Sequence, residues 1–171
     1  MTRRSSLIIV LASLLIAVIG LYLQMTGPIS NYGGAIQQYG VGFAKLAAFI
    51  SLLYYGTFVN TIYFKFATAC AVFLAIGAMF KISHWPFANG ILIASCLGIA
   101  TLYGIYFIRK TTKKRLDILK LIWVLTTNIG ACFLLLHFIP REFRYISDLI
   151  FWLVFIDFSI SNFRNKTLDS Y

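Results

Sequence analysis

The residues of this chain best suited to chemistry are two histidines at similar positions. His84 stands in "KISHWPF" and His137 in "LLLHFIP". Two imidazoles in matching settings could ligate a metal ion or a haem iron. No Cys, Asp or Glu adjoins either histidine to complete such a site. We therefore expect no metal and no cofactor, and interpret both histidines as turn residues at a membrane interface.

A carboxylate inside an apolar segment is the second candidate. Asp157 lies in "FWLVFIDFSIS", where an ionisable group is costly and is a functional candidate by default. Lys120 lies at a similar depth, about 10 Å from the same end of a neighbouring segment. This placement predicts an intramembrane pair between Asp157 and Lys120. This pair, or a bond from Asp157 to Asn128 or Ser159, locks the third hairpin, or else Asp157 carries protons. We favour the lock because buried polar groups are generally paired.

The composition identifies the environment that these residues occupy. The 171 residues are 60% hydrophobic and 12% charged, with a mean hydropathy of +0.85. Soluble domains are about 25% charged, so the composition excludes a soluble globular protein and indicates an integral membrane protein. The net charge of +10 falls in short clusters between apolar runs, which is typical of membrane topology and not of a nucleic-acid reader. No phosphate-binding loop, nucleophile elbow, CxxC or HExxH is present, so we expect no enzyme.

The apolar runs predict an all-α, polytopic helix bundle with six transmembrane helices. A spanning helix needs about 20 mostly apolar residues, and the candidate segments are Leu7–Met25, Gly42–Ile62, Phe66–Phe80, Gly90–Ile108, Ile118–Ile139 and Asp148–Phe163. The polar, Gly-rich stretch Ser30–Gly40 is interpreted as a flexible connector. A four-helix alternative, with residues 42–80 re-entrant or peripheral, is less economical, because irregular backbone is not tolerated in lipid.

The basic residues predict that both termini are cytoplasmic. In this orientation most of them lie on the inner side, including the cluster "RKTTKKR" at Arg109–Arg115. Only Lys45, Lys81, Arg141 and Arg144 then fall on the outer side. The chain is expected to be one transmembrane domain, residues 1–171, built as three in-out-in hairpins.

The three hairpins show internal similarity. An Ile-Gly pair precedes each outer turn, at Gly20, Gly77 and Gly130, and a proline follows at the turn. Regular self-similarity of this kind indicates a repeat, with boundaries at residues 7–62, 66–110 and 118–164. The second and third turns also share a His followed by an aromatic residue, which the first turn lacks. Whether the first hairpin is a true repeat is therefore left open.

The residues of the outer-turn motif in the second and third hairpins each have a structural interpretation. Trp85 is expected to anchor at the headgroup level, and Lys81 to extend its ammonium to the surface. Pro86 and Pro140 are expected to start or stop helices. His84 and His137 complete the motif.

The second turn also carries a family resemblance. "GAMFKISHWPFANGILI" resembles the helical hairpin of GldL, the motor subunit of gliding motility and type IX secretion, through a G-x-x-F-K-I-x-H-W-P-x-A pattern at Gly77, Phe80, Lys81, Ile82, His84, Trp85, Pro86 and Ala88. The resemblance implies that this turn faces the periplasm. The GldL family has one such hairpin, a long cytoplasmic tail and an acidic residue in the helix after the turn. Here that helix has no acid, and Asp157, after the third turn, is the only candidate for the position.

These observations together predict a multi-pass protein of the bacterial inner membrane. Its expected function is that of a non-catalytic subunit or scaffold of an envelope complex related to gliding motility or type IX secretion. The expected partners are the lipid bilayer and other membrane subunits. The alternative is a small proton-coupled transporter or channel that uses Asp157.

Overall fold

The computed structural model describes the backbone of residues 3–26, 30–54 and 56–168, and the side chains of residues 8–26, 32–54 and 56–161. Within these ranges the chain is all-helical and contains no strand. The helices are α1 (Arg3–Thr26), α2 (Ser30–Tyr54), α3 (Ile62–Ile82), α4 (Ala88–Arg109), α5 (Arg115–Leu135) and α6 (Phe143–Leu168), with a short 3-10 turn at Thr57–Asn60 before α3. The predicted all-α fold is confirmed.

Five of the helices are long and apolar enough to cross a membrane, namely α1 to α5. Their candidate spans are Ile8–Thr26, Tyr32–Tyr54, Ile62–Ile82, Ala88–Arg109 and Arg115–Leu135. Helix α6 does not meet the same criteria within its described residues, where Arg144, Asp148 and Asp157 interrupt the apolar run. The sixth span therefore stays a prediction.

The interpretation of Ser30–Gly40 as a flexible connector was wrong, because α2 begins at Ser30. The glycines of this stretch had indicated a loop. Gly33 and Gly40 instead lie against α1, where a Cβ would meet the backbone of Gln24 or Ala17 at 2.5–2.9 Å. Small residues in membrane helices serve close helix contact. As a result Lys45 lies well inside α2 and not at its outer end.

The helices group into two compact units, Met1–Gly56 and Thr57–Tyr171. The first unit is the antiparallel pair of α1 and α2. Its core is made of small side chains with almost no exposure, and the fully buried ones include Val10, Ala44 and Ala48. Two buried serines satisfy their hydroxyls within their own helices, Ser13 on Ile9 O and Ser51 on Ala47 O. Small side chains let the two backbones approach closely, so dispersion contacts hold this unit together.

In the second unit each helix packs on the next one along the chain, from α3 to α6. An aromatic cluster fills the junction of α4, α5 and the 3-10 turn, around buried Tyr103, Tyr106 and Val124. Phe58 of the turn contributes its ring at 5.0 Å from Tyr103 and 4.9 Å from Tyr106, centroid to centroid. The short turn is thereby tied to the core and holds the start of α3 against the end of α4.

Candidate functional site

The corner between α3 and α4, residues 80–88, ends α3 with a helix cap and is called the His84 corner below. His84 has a φ of 56°, in the left-handed region. Its N–H donates to Lys81 O at 3.2 Å, and the Trp85 N–H donates to Phe80 O at 2.9 Å. These two bonds define a Schellman motif, which satisfies carbonyls that the end of a helix leaves without partners.

The corner between α5 and α6, residues 133–143, repeats this geometry and is called the His137 corner. His137 has a φ of 60°. Its N–H donates to Leu134 O at 3.1 Å, and the Phe138 N–H donates to Phe133 O at 2.9 Å. The same cap ends α5 at Leu135, four residues before the predicted end of that span. Two stretches of different sequence therefore form one backbone motif with histidine in the same place.

An aromatic contact closes each corner. The rings of Phe80 and Trp85 stack with centroids 4.9 Å apart, and those of Phe133 and Phe138 meet edge-on at 6.2 Å. A Schellman motif commonly carries such an apolar contact between the same two positions. This contact explains why each corner has a phenylalanine, three intervening residues, a histidine and then an aromatic residue. Sequence reasoning matched the histidines but missed the cap, although this common spacing was the signal for it.

The left-handed position explains the histidines better than metal chemistry does. Histidine adopts this region more readily than most residues other than glycine. Both imidazoles are exposed. In the described part of the chain, no group of three or more His, Cys, Asp or Glu side chains could hold a metal ion. Each corner terminates a helix and presents polar and aromatic groups.

The other motif residues are also exposed at the two corners. Trp85 is 59% exposed, and Lys81, Pro86 and Pro140 are exposed as well. Helix α4 begins two residues after Pro86, and α6 three residues after Pro140. Their assigned roles as membrane anchor, surface lysine and helix-starting prolines stay predictions. The outer turn of the first hairpin, with Pro28, lies outside the described residues.

The repeated Ile-Gly glycines all lie where one helix crosses the next. A Cβ at Gly77 would lie 3.1 Å from side-chain atoms of Ile91 and Leu92 on α4. A Cβ at Gly130 would overlap the ring of Phe143 at the start of α6. At Gly20 it would overlap the backbone of α2. In the structure each of these glycines lies at a close contact between helices, and the internal repeat stays a prediction.

Among the described residues, Asp157 and Lys120 contact different partners and form no ion pair with each other. An Asp157 carboxylate oxygen is 3.5 Å from Nε of Arg115, the first residue of α5, and the Lys120 ammonium lies 5.8 Å from the ring centroid of Phe158. The side chain of Asp157 is 24% exposed and that of Arg115 is 84% exposed. So exposed a pair is worth about 0–1 kcal/mol. Asp157 therefore lies beside the start of α5, although it is in the middle of α6.

A better-buried polar cluster lies at the junction of α4 and α5, and sequence reasoning missed it. Lys110 Nζ is 2.7 Å from Asp117 Oδ1, with side-chain exposures of 18% and 15%. The other carboxylate oxygen accepts the Lys114 N–H at 2.9 Å and so caps the start of α5. Lys110 also reaches Thr57 Oγ1 at 3.4 Å, and Thr57 pairs with the Tyr106 hydroxyl at 2.6 Å. Asp117 could have indicated this cluster from the sequence, because it is the acidic residue that closely follows the basic stretch Arg109–Arg115.

We expect Asp117→Ala to destabilise the second unit by about 1–2 kcal/mol, because the change removes a helix cap and leaves Lys110 without its carboxylate. Asp117→Asn should cost less, since its amide oxygen can still accept the Lys114 N–H. The midpoints of SDS-induced unfolding in mixed micelles measure both changes. Equal losses in the two variants would show that the cap contributes nothing.

Comparison with known proteins gives one family match. No curated protein and no solved structure matches the chain. The model of the GldL N-terminal domain matches residues 66–123 of the 171. The matched segment contains most of α3, the His84 corner, α4, the basic stretch Arg109–Arg115 and the first turns of α5; the His137 corner and Asp157 lie outside it. The resemblance predicted from the "FKISHWP" corner is therefore confirmed, and residues 66–123 form a segment similar to the GldL N-terminal domain.

Proposed function

We propose that the chain is a non-catalytic membrane subunit or scaffold of an inner-membrane envelope complex related to gliding motility or type IX secretion. The observation that carries this proposal is the match of residues 66–123 to the GldL N-terminal domain. The GldL-type hairpin belongs to a motor subunit that works inside a membrane complex. The described residues consist mainly of apolar helices with short connections, and helix surfaces of this kind are suited to packing against other membrane chains.

The polar groups of the described residues support a structural function. Asp117 caps α5 and pairs with Lys110, and the two histidines occupy helix caps. Thr127 and Ser147 join α5 to α6 through a hydroxyl contact of 2.6 Å. Such groups hold helices in register, because buried polar atoms in an apolar medium must be paired. Their use in packing favours a scaffold over a reaction centre.

The orientation is part of the same proposal. The His84 and His137 corners face the periplasm, and the basic stretch between α4 and α5 lies in the cytoplasm with both chain termini. The positive-inside rule supports this arrangement, because five of the seven residues Arg109–Arg115 are basic. The resemblance of the His84 corner to the GldL turn supports the same side for that corner.

Proton-driven motor function is not carried over with the hairpin. The acidic residue that the GldL family places after the turn has no counterpart in α4. The alternative, a proton-coupled transporter or channel, rests on Asp157, and the carboxylate of this residue lies 3.5 Å from an exposed arginine at the start of α5. A carboxylate that carries protons through a membrane is expected deeper and better shielded. This geometry favours the scaffold.

Purification from native membranes tests the proposal. The chain, tagged at its genomic locus, is extracted in mild detergent and analysed by native mass spectrometry. We expect it in a larger assembly with other membrane chains in fixed stoichiometry. A matched strain carrying the tag on an unrelated membrane protein of similar size controls for detergent carry-over. Recovery of the chain as a lone monomer at native expression would contradict a subunit function.

A further inference from the structure

The basic residues at the junction of α3, α4 and α5 offer a binding surface, which goes beyond the function and orientation proposed above. It consists of Lys65 in the first turn of α3 and the stretch Arg109–Arg115, which ends α4 and starts α5. The Arg109 guanidinium carbon lies 5.9 Å from the ring centroid of Tyr63. This contact brings the start of α3 beside the end of α4. Lys65 and the stretch Arg109–Arg115 thus lie at neighbouring helix ends, and together they are called the basic junction below.

The basic junction carries more positive than negative charge. Among the described residues, Asp117 engages Lys110 at 2.7 Å and Asp157 engages Arg115 at 3.5 Å. The ion pairs of that part of the chain leave the charges of Lys65, Arg109, Lys113 and Lys114 without a carboxylate. All four side chains are exposed. The surface therefore attracts anions.

The fold holds these cations in a defined place. The Lys110 N–H donates to Tyr106 O at 3.0 Å and so completes the last turn of α4. Asp117 accepts the Lys114 N–H at 2.9 Å and fixes the first turn of α5. Between these two fixed ends the Lys113 ammonium lies 5.1 Å from the centroid of the Phe107 ring. Ordered ends on both sides lower the entropy that a ligand must overcome to organise the loop.

The location of the basic junction identifies its ligand. Three candidate membrane spans begin or end here, at Ile62, Arg109 and Arg115. A basic surface at the ends of spans lies at the level of lipid headgroups, and Tyr63 is an aromatic residue of the kind enriched at that level. The anions present there at high concentration are the phosphates of acidic phospholipids.

We propose that the basic junction binds the headgroups of anionic phospholipids, with Lys113 and Lys114 as the exposed cations that contact phosphate. Each basic residue near an acidic membrane surface contributes roughly a fivefold increase in association. The site would recruit a shell of acidic lipid around the segment similar to the GldL N-terminal domain. This lipid-binding proposal depends neither on the proposed subunit function nor on which leaflet the basic junction faces.

The full chain in nanodiscs of phosphatidylglycerol and phosphatidylcholine tests this proposal. Electron paramagnetic resonance with spin-labelled lipids of each class measures the fraction immobilised at the protein surface. We expect the wild-type chain to immobilise phosphatidylglycerol severalfold more than phosphatidylcholine, and the preference to fall in high salt. The variant Lys113→Gln/Lys114→Gln should immobilise the two lipids almost equally, because it removes the two exposed cations assigned to phosphate contact.

The matched control is Arg141→Gln/Arg144→Gln, which removes the same charge from the His137 corner and the first turn of α6. This control should keep the preference for phosphatidylglycerol. Equal immobilisation of the two lipids by the wild-type chain would overturn the proposal. So would an equal loss in the control, because the effect would then reflect net charge alone. Circular dichroism of each variant confirms that a loss of lipid preference does not arise from unfolding.

Discussion

Gly20→Ala is expected to destabilise the first unit by about 1–3 kcal/mol, the usual cost of overpacking a well-packed contact. A Cβ at Gly20 would overlap the backbone nitrogen of Gln37 and lie 2.9 Å from Gly33 O. Backbone atoms cannot rotate away as a side chain can, so α1 and α2 must move apart. The hairpin then loses the contacts among its buried small residues.

Gly42→Ala is the matched control, because it makes the same change within α2 where nothing lies within 4 Å of the added Cβ. Alanine is favoured over glycine in a helix, so this variant should keep or slightly raise stability. Energy transfer between fluorophores at exposed Leu15 and Leu46, followed through an SDS titration with the native cysteines replaced, reports separation of α1 from α2. Equal midpoints for the two glycine variants would refute the close contact.

The second large effect concerns the left-handed histidines. His84→Val should cost about 1–2 kcal/mol, the penalty for a residue without polar atoms in the left-handed region, and more where the branch at Cβ crowds the backbone. His84→Gly should retain or improve stability, because glycine is the preferred residue at this position of a Schellman motif. His137 has the same geometry, so we expect the same order of Gly above Val there.

Comparison of the Gly and Val substitutions distinguishes histidines that cap helices from histidines that ligate a metal or haem. If the imidazoles bound a metal or haem, Gly and Val would remove the ligand equally, and the double variant His84→Gly/His137→Gly would lose bound metal and stability together. The cap interpretation predicts that this double variant unfolds at the wild-type SDS concentration or above it. Metal analysis and visible absorption of the purified wild-type protein complete the test. A Soret band or stoichiometric metal would contradict the cap interpretation.

The helices and their apolar character could be predicted from the sequence, because long apolar runs have few alternatives in a membrane. The His84 and His137 corners could also be matched, since their residues recur at one spacing. The helical state of Ser30–Gly40 could not be predicted. Glycine signals a loop by its backbone entropy, but Gly33 and Gly40 gain close contact with α1, and that contact is invisible until the partner helix is placed.

The polar pairing was the least predictable part. Lys120 was expected to pair with Asp157 from depth alone. The position of a side chain around a helix matters as much as its depth, since residues five apart point in different directions at 3.6 residues per turn. In the structure Arg115 reaches Asp157, while Lys120 lies over the neighbouring Phe158. These contacts do not join Lys120 to Asp157, and an intramembrane pair between them stays a prediction.

The central claim is that the chain acts by packing with other membrane chains and not by moving protons. The most direct test follows from the proposed link to gliding motility and type IX secretion: both activities are measured in the native bacterium when its only copy carries Asp157→Asn. Our account predicts wild-type activity, because Asp157 contributes a weak ion pair with an exposed arginine. Abolished activity, with the chain still present at its normal level and in its normal assembly, would contradict the account and identify Asp157 as a working carboxylate.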